Sequence, residues 1–192
     1  MGTRTCARML ETATRLVQAR GYHGTGLNSI LEESQAPRGS LYFHFPGGKS
    51  ELVLESTKRL WMQLPKSTQI LSRAESPAAA LRLIGEGIAK LLRETDFERG
   101  CPISPIVFDG TGESPELSAL CESTFEAWIG LLRAGFERAG IPRHRAKSLS
   151  ILAQSALQGA ALIARAYRSD EPIVQAVEEL AKVVEAELLS SG

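Results

Sequence analysis

Five residues between positions 38 and 49 carry side chains that bind anions and the edges of nucleic-acid bases. Guanidinium, ammonium, hydroxyl and imidazole groups donate the hydrogen bonds that phosphate oxygens and base edges accept. So many donors in so short a segment are typical of a surface that contacts DNA. The five residues are Arg38, Ser40, Tyr42, His44 and Lys49.

The first element that must position these groups is a helix of about two turns beginning near Leu27. Leu27, Ile30 and Leu31 recur at spacings of three and one, which places them on one helix face. This helix must end before Pro37, because proline donates no backbone hydrogen bond and clashes with the preceding turn. Proline fits the first position of a helix, so a second helix is predicted from Pro37 or Arg38.

The second helix is short, because Pro46 and the two glycines after it stop it. Leu41 and Phe45 fall on its inward face, which leaves the polar side chains for solvent or a ligand. A helix, a tight turn and a short second helix are the layout of a helix-turn-helix that reads DNA.

Composition is that of an ordinary globular protein, with 43% hydrophobic and 23% charged residues among 192. The formal net charge is zero, which by itself argues against a nucleic-acid binder. The distribution is uneven, however, because residues 1–60 contain eight Lys or Arg against five Glu. The first third of the chain is therefore modestly basic.

Cys6, Cys101 and Cys121 are widely spaced, with no C-x-x-C pair and no histidine cluster. This pattern indicates reduced thiols in a cytosolic protein, and neither a metal site nor a cofactor is expected. A thiol-sensing role for Cys101 or Cys121 stays open. The sequence has neither the apolar run of roughly 18 residues that a membrane helix needs nor the apolar core of a signal peptide, so a cytoplasmic location is expected.

Helical patterns dominate the remaining chain, and no strand pattern competes, so we predict an all-α fold. The exception is residues 100–115, rich in Gly, Pro, Ser and Thr yet apolar in part, which we expect to fold inward as a loop with one short helical turn. The predicted domains are 1–48 for the helix-turn-helix and 49–192 for a helical partner domain. Further helices are predicted over about 4–20, 49–71, 78–93, 115–139, 142–168 and 172–189.

Enzymatic function finds little support, since no G-x-S-x-G or H-E-x-x-H motif is present. The Gly-Gly-Lys-Ser sequence at 47–50 is similar to the end of a phosphate-binding loop. That loop requires a glycine where Phe43 stands, and a preceding strand where a helix is predicted.

The helix-turn-helix stretch resembles the tetracycline-repressor (TetR) family of bacterial transcriptional regulators. The G-C-P-I sequence from Gly100 further resembles the LmrA- and YxaF-like branch of that family. The turn before the second helix departs from the family's usual Ala-Gly, being Ser34-Gln35, and a positive φ at Gln35 would cost about 1 kcal/mol. The resemblance rests on Gly21-Tyr22, Thr25, Ile30, Gly39, Leu41-Tyr42, His44-Phe45 and Lys49.

The resemblance implies a homodimer that binds a palindromic double-stranded DNA operator and is released by a small-molecule effector in the C-terminal domain. Release would follow from a shift of the helix at Lys49, and the expected outcome of DNA binding is repression. The residues implied in DNA binding are Thr25, Arg38, Gly39, Ser40, Tyr42, His44 and Lys49.

Two alternatives accompany this hypothesis. Tyr42, Phe43 and Phe45 could form a small-domain core, with Arg38 a solvated charge and His44 a bridge within the domain. Alternatively, the chain is a ligand-binding or architectural helical protein whose helix-turn-helix is structural only.

The C-terminal part predicts a dimer interface and a pocket. A seam of small residues on the helix from Pro142, together with the apolar face of the last helix, favours a four-helix dimer interface, the alternative being an intrachain core. The seam comprises Ala153, Ala156, Gly159, Ala160 and Ala164. Apolar and aromatic residues near the proline-broken segment favour a pocket for an apolar or aromatic effector, although they could instead be ordinary core. These are Phe97, Ile103, Val107, Phe108, Phe125, Trp128 and Leu132.

Overall fold

The structure is a computed structural model that describes residues 2–61, 74–110, 112 and 114–191. These residues are almost entirely helical and contain no strand, which confirms the all-α prediction. The predicted end of the fourth helix near residue 71 lies outside the described residues. The helices are α1 (Gly2–Arg20), α2 (Leu27–Ser34), α3 (Arg38–His44), α4 (Gly48–Trp61), α5 (Pro77–Glu94), α6 (Ser104–Asp109), α7 (Pro115–Arg138), α8 (Arg143–Tyr167) and α9 (Glu171–Ser191).

The chain divides into two compact units. The first unit comprises Met1–Gln63 and Cys101–Thr124, so that α6 and the beginning of α7 belong with the N-terminal helices. The second unit comprises Leu64–Gly100 and Phe125–Gly192.

The first unit has a core formed where α1 packs against α2, α3 and α4. The apolar stripe of α1 contributes Met9, Ala13 and Leu16, all fully buried. Burial of this stripe removes apolar surface from water and holds the two helices of the helix-turn-helix against α1. The remaining core residues are Ile30, Leu31, Ala36, Leu41, Phe45 and Leu52.

The turn between α2 and α3 depends on a left-handed residue. Gln35 has φ 52° and ψ 37°, and its N–H donates to the Glu32 carbonyl at 3.0 Å. The next N–H, of Ala36, donates to the Leu31 carbonyl at 3.0 Å. A non-glycine residue in this region costs about 1–2 kcal/mol, which the buried residues on both sides of the turn offset.

The second unit is built mainly from α5, α8 and α9. The helix α5 begins one residue before the predicted start at about 78, because the Ser76 hydroxyl accepts the Ala79 N–H at 3.1 Å and Pro77 takes the first helical position. Close packing of α5 on α9 requires Gly85, since a Cβ there would lie 2.5 Å from Val177 Cγ2. Arg145 on α8 pairs with Glu187 on α9 through two hydrogen bonds of 2.9 and 2.7 Å.

Within the described residues, no helix has both the length and the apolar character needed to cross a bilayer. The same part of the chain holds no group of three or more His, Cys, Asp or Glu side chains placed to bind a metal ion.

Candidate nucleic-acid interface

The helix α3 is anchored by its inward face. It follows Pro37, whose φ of −61° and ψ of 142° make it the N-cap residue, so the helix starts at Arg38. Leu41 is 1% exposed and Phe45 is 3% exposed, which confirms the predicted inward face. Two buried side chains thus fix the orientation of a helix of only seven residues.

The outward face of α3 presents aromatic and cationic side chains to solvent. Tyr42 is 61% exposed, so the alternative that places it in a small-domain core is wrong. Arg38 and Gly39 are also exposed, whereas Ser40 and His44 are half-buried. We define this outward face as Arg38, Gly39, Tyr42 and Phe43.

Phe43 also belongs to the outward face, so the alternative that places it in a small-domain core is wrong for Phe43 as well. Its ring is 79% exposed and packs edge-on against His44, with centroids 4.9 Å apart. The signal was available in the periodicity, because a residue midway between Leu41 and Phe45 points to the opposite side of a helix. Such an exposed aromatic ring can contact the methyl group of thymine or a sugar.

The Arg38 guanidinium is positioned by α2. Its Nη2 donates to Asn28 Oδ1 at 2.9 Å, and Asn28 is itself exposed. A hydrogen bond between side chains of the two helices restricts the directions that Arg38 samples. Asn28 was not predicted as a site residue, because residue spacing does not show which side chains pair across the turn between α2 and α3.

Gly39 has open space around it. A Cβ built at this position meets no atom within 4 Å, and the residue does not need a positive φ. Packing within the chain therefore does not explain the glycine. A glycine on an outward helix face lets another molecule approach the backbone closely.

Thr25 does not share this surface. Its side chain is fully buried, and its hydroxyl donates to the Gly21 carbonyl at 2.8 Å. Its backbone N–H is also engaged, donating to the Tyr22 carbonyl at 3.2 Å. The expectation that Thr25 contacts DNA is therefore not supported, because both of its donors close the turn between α1 and α2.

Lys49 is the second residue of α4 and lies against an aromatic ring of the first unit. Its Nζ is 4.2 Å from the centroid of the Tyr22 ring, a cation–π distance. Tyr22 is 2% exposed, and its hydroxyl is 2.8 Å from the Ser50 hydroxyl, so a fixed ring supports the start of α4. The ammonium group lies at a helix N-terminus, where both the dipole and the cation favour a phosphate.

Two arginines of α1 form ion pairs with a glutamate of α2. Arg15 donates to the Glu33 carboxylate, and Arg20 lies 3.5 Å from the other oxygen of the same group. The Arg15 hydrogen bond, aided by both positive charges, lowers the pKa of Glu33. Glu33 is therefore ionised and paired at neutral pH.

The seven residues predicted to line an effector pocket are divided between the two units. Ile103, Val107 and Phe108 belong to the first unit, and Phe108 is 78% exposed. The other four belong to the second unit, where the rings of Phe125 and Trp128 meet edge-on at 5.5 Å. Leu132 lies in that unit's core, and Phe97 packs against it.

A groove in the second unit offers a ligand-sized volume that the sequence did not predict. It lies between α5 and α9 and has a volume of about 600 Å³, within the range of small-molecule sites. Leu83, Ala89 and Val174 line it together with the Arg82–Glu178 ion pair. None of the seven predicted pocket residues lines this groove.

Cys121 is buried and poorly suited to thiol chemistry. Burial, with a smaller contribution from Cys101, raises the pKa of its thiol to about 11. The thiolate is the nucleophile, so a protonated Cys121 reacts slowly at neutral pH.

Two family models match the chain. Residues 9–56 match the model described as bacterial regulatory proteins of the tetR family. Residues 77–179 match the LmrA/YxaF-like transcriptional regulator C-terminal domain. The chain belongs to the TetR family. This TetR-family protein is a DNA-binding transcriptional regulator and not an enzyme, as the sequence predicted.

Relatives match this TetR-family chain over most of its length. The HTH-type transcriptional regulator LmrA of Bacillus subtilis (strain 168) is 29% identical over 168 residues, covering 87% of this chain and 89% of LmrA. An HTH-type transcriptional regulator of Mycobacterium tuberculosis is 32% identical over 186 residues, covering 94% of both chains.

Solved structures share the fold. A TetR transcriptional regulator from Legionella pneumophila superposes with a TM-score of 0.84 at 19% identity, covering 92% of this chain and 95% of the other. A cysteine mutant of the TetR-family regulator CifR, complexed with 26-base-pair operator DNA, gives a TM-score of 0.71 at 24% identity, covering 92% and 94%.

Proposed function

We propose that this TetR-family regulator binds a palindromic operator as a homodimer, represses transcription, and is released by a small-molecule effector. The observation that carries the proposal is the division of α3 into two faces. Leu41 and Phe45 lock one face into the core, while Arg38, Tyr42 and Phe43 project from the other. A short helix with a buried anchor and exposed donors fits the major groove.

The residues of this surface have separate roles. Arg38 and Tyr42 read base edges, with the guanidinium directed by Asn28. Phosphate contacts fall to Ser40, His44 and Lys49, and supply affinity and salt dependence more than sequence choice. Gly39 permits close approach of the backbone, and Phe43 adds an apolar contact.

The proposed dimer forms through α8 and α9. Most of the residues that the sequence analysis named for this interface, however, are buried within their own chain. Ala153, Ala160 and Ala164 are buried in the core of their own chain. Most of the apolar residues of α9 are buried there as well, including Val177 and Val184. For these residues the intrachain-core alternative is right, because α8 has two apolar faces and the sequence does not say which one faces the partner.

The opposite face of α8 remains available for a second subunit. Leu152, Leu162 and Ile163 are 50%, 60% and 46% exposed on one helical stripe. Gly159 lies on the same stripe, and a Cβ there would meet nothing within 4 Å. An exposed apolar stripe with a glycine in its middle suits close packing against a partner helix.

A dimer also compensates for the weak DNA binding of a single α3 helix. Two copies of α3 spaced about one helical turn of DNA, roughly 34 Å, bind two half-sites at once. The second contact is then effectively intramolecular, which multiplies the affinity. The two-fold symmetry of such a dimer is the reason to expect a palindromic operator.

The effector proposal rests on the second unit. The edge-to-face aromatic pair Phe125–Trp128 and the groove between α5 and α9 are both apolar enough for a neutral organic molecule. Effector binding in the second unit would change the separation of the two α3 helices of the dimer and so lower operator affinity. The domains proposed for these two roles are 1–48 for DNA and 49–192 for effector and partner, with Lys49, the first residue after the boundary, adding a phosphate contact beside the DNA-binding domain. We expect the protein to act in the cytoplasm.

The test is selection of DNA from a randomised pool, followed by anisotropy titration of the selected site. Arg38→Ala and Tyr42→Ala should each weaken binding about fivefold to 150-fold, the loss of one specific contact of about 1–3 kcal/mol. Arg143→Ala serves as the control, because it also removes an exposed cation, but from the second unit. If no sequence is enriched, or if both variants bind as tightly as the control, the architectural alternative takes its place.

A further inference from the structure

Asp109, the last residue of α6, binds the N-terminal helices although it lies more than eighty positions further along the chain. Its Oδ1 accepts the backbone N–H of Tyr22 at 3.0 Å, and its Oδ2 accepts that of His23 at 3.0 Å. One carboxylate therefore holds two consecutive backbone donors just after the end of α1. Charge-assisted hydrogen bonds of this kind are stronger and more directional than neutral ones.

Two glycines make room for this contact. Gly21 has a φ of +79°, and a Cβ at this position would lie 2.9 Å from Asp109 Oδ2. Gly110 faces the other side, where a Cβ would lie 3.0 Å from Tyr22 Cγ. The backbone on both sides is thus shaped for the close approach of α6 to the residues after α1.

Tyr22 extends the contact to the start of α4. Its ring is 2% exposed, its hydroxyl is 2.8 Å from the Ser50 hydroxyl, and Lys49 Nζ lies 4.2 Å above the ring. The backbone of Tyr22 is held by Asp109 while its side chain supports Lys49 and Ser50. A continuous set of contacts within the first unit therefore joins α6 to the groups at the N-terminus of α4.

We propose that Asp109 is a positioning residue for DNA binding, which acts by holding Tyr22 so that Lys49 is directed at a phosphate. The proposal rests on the proposed function, since it concerns the orientation of Lys49 on the same DNA-contacting surface. Loss of the Asp109 carboxylate should therefore lower operator affinity through Lys49, with the residues on α3 unchanged.

The experiment is a double-mutant cycle between Asp109 and Lys49, read as operator affinity at several salt concentrations. Lys49→Ala should reduce the slope of log affinity against log salt by about 1.8 per dimer, one phosphate contact per subunit. Asp109→Ala should weaken binding and reduce the slope in the presence of Lys49. In the Lys49→Ala background it should add less than a twofold further loss, because the group it positions is gone.

Three controls separate positioning from simple damage to the fold. Glu122→Ala removes an exposed carboxylate from the same unit and should leave the affinity and slope unchanged. Asp109→Asn keeps one accepting oxygen and should bind with intermediate affinity. If Asp109→Ala does not fold, Asp109→Ser takes its place in the cycle, since it removes the carboxylate that accepts both backbone N–H groups and leaves the ring and hydroxyl of Tyr22 unchanged.

An NMR measurement tests the same placement without DNA. The CεH₂ protons of Lys49 should be shifted upfield by the Tyr22 ring, and the shift should disappear in Asp109→Ala and be reduced in Asp109→Asn. If this shift persists, or if Asp109→Ala and Lys49→Ala have additive effects on affinity, the Asp109 proposal is overturned. A Lys49→Ala variant that binds the operator normally would instead contradict the proposed function, while the NMR result still decides whether Asp109 positions Lys49.

Discussion

Replacing Gly39 with alanine should make the protein more stable and a weaker DNA binder. Gly39 is the second residue of α3, has no positive φ, and would present a new Cβ to space with no atom within 4 Å. The methyl group therefore causes no clash within the chain. Alanine also removes the conformational entropy that glycine loses on folding, so the free energy of unfolding should rise by about 0.5–1 kcal/mol.

The same methyl group should obstruct the DNA. It would project from the outward face, close to where Arg38 and Tyr42 are proposed to meet base edges. If the α3 backbone lies at van der Waals distance from DNA, the helix must withdraw and lengthen those contacts. Loss of one well-formed base contact, about 1–3 kcal/mol, corresponds to a drop in operator affinity of roughly fivefold to 150-fold.

Thermal unfolding and anisotropy titration of Gly39→Ala measure the two effects separately. The matched control is Gly87→Ala, which also adds a methyl to an exposed helical glycine with nothing within 4 Å, but on α5 in the second unit. The control should gain similar stability and keep full operator affinity. If Gly39→Ala is stabilised yet binds the operator as tightly as Gly87→Ala, the outward face of α3 does not meet DNA closely.

Four further outcomes are expected. Gln35→Gly should raise the free energy of unfolding by up to about 1 kcal/mol in denaturant titrations, because it relieves the left-handed strain at φ 52°, whereas Gln35→Val should lower it. Phe43→Ala should reduce operator affinity about threefold to tenfold without lowering the melting temperature, because the ring is 79% exposed; an unchanged affinity would remove Phe43 from the interface. Leu162→Glu should shift the protein toward monomers in sedimentation, since it places a charge on the exposed stripe of α8, and a stable dimer would contradict the proposed interface. Arg145 lowers the pKa of Glu187 below its ordinary 4.5, so the stability difference between wild type and Glu187→Gln should be full at neutral pH and shrink as the pH falls below 4.5 in pH-dependent unfolding.

The sequence predicted the parts of the site that local rules determine. Pro37 sets the start of α3 because proline restricts its own φ and lacks a donor, and Leu41 and Phe45 set its inward face through their four-residue spacing. These constraints act within a few residues. Each is visible without knowledge of the partner helices.

The remaining parts depend on contacts between distant segments. The fully buried side chain of Thr25 follows from how the turn after α1 packs, and the link from Asp109 to Tyr22 spans most of the first unit's sequence. The spacing of residues along the chain predicts neither the burial of Thr25 nor the contact between Asp109 and Tyr22. In α8 the sequence shows two apolar faces, and only the fold reveals that Ala153 is internal while Leu162 is exposed.

Photocrosslinking from position 43 shows whether the outward face of α3 lies against the operator. A benzophenone side chain at Phe43 should crosslink to operator DNA, in both half-sites of the selected sequence. The matched control is the same group at Phe108, which is 78% exposed against 79% for Phe43 and belongs to the same unit. We expect crosslinks from position 43 alone. Equal crosslinking from both positions, or crosslinking from position 108 only, would mean that the outward face of α3 is not the surface that binds the operator.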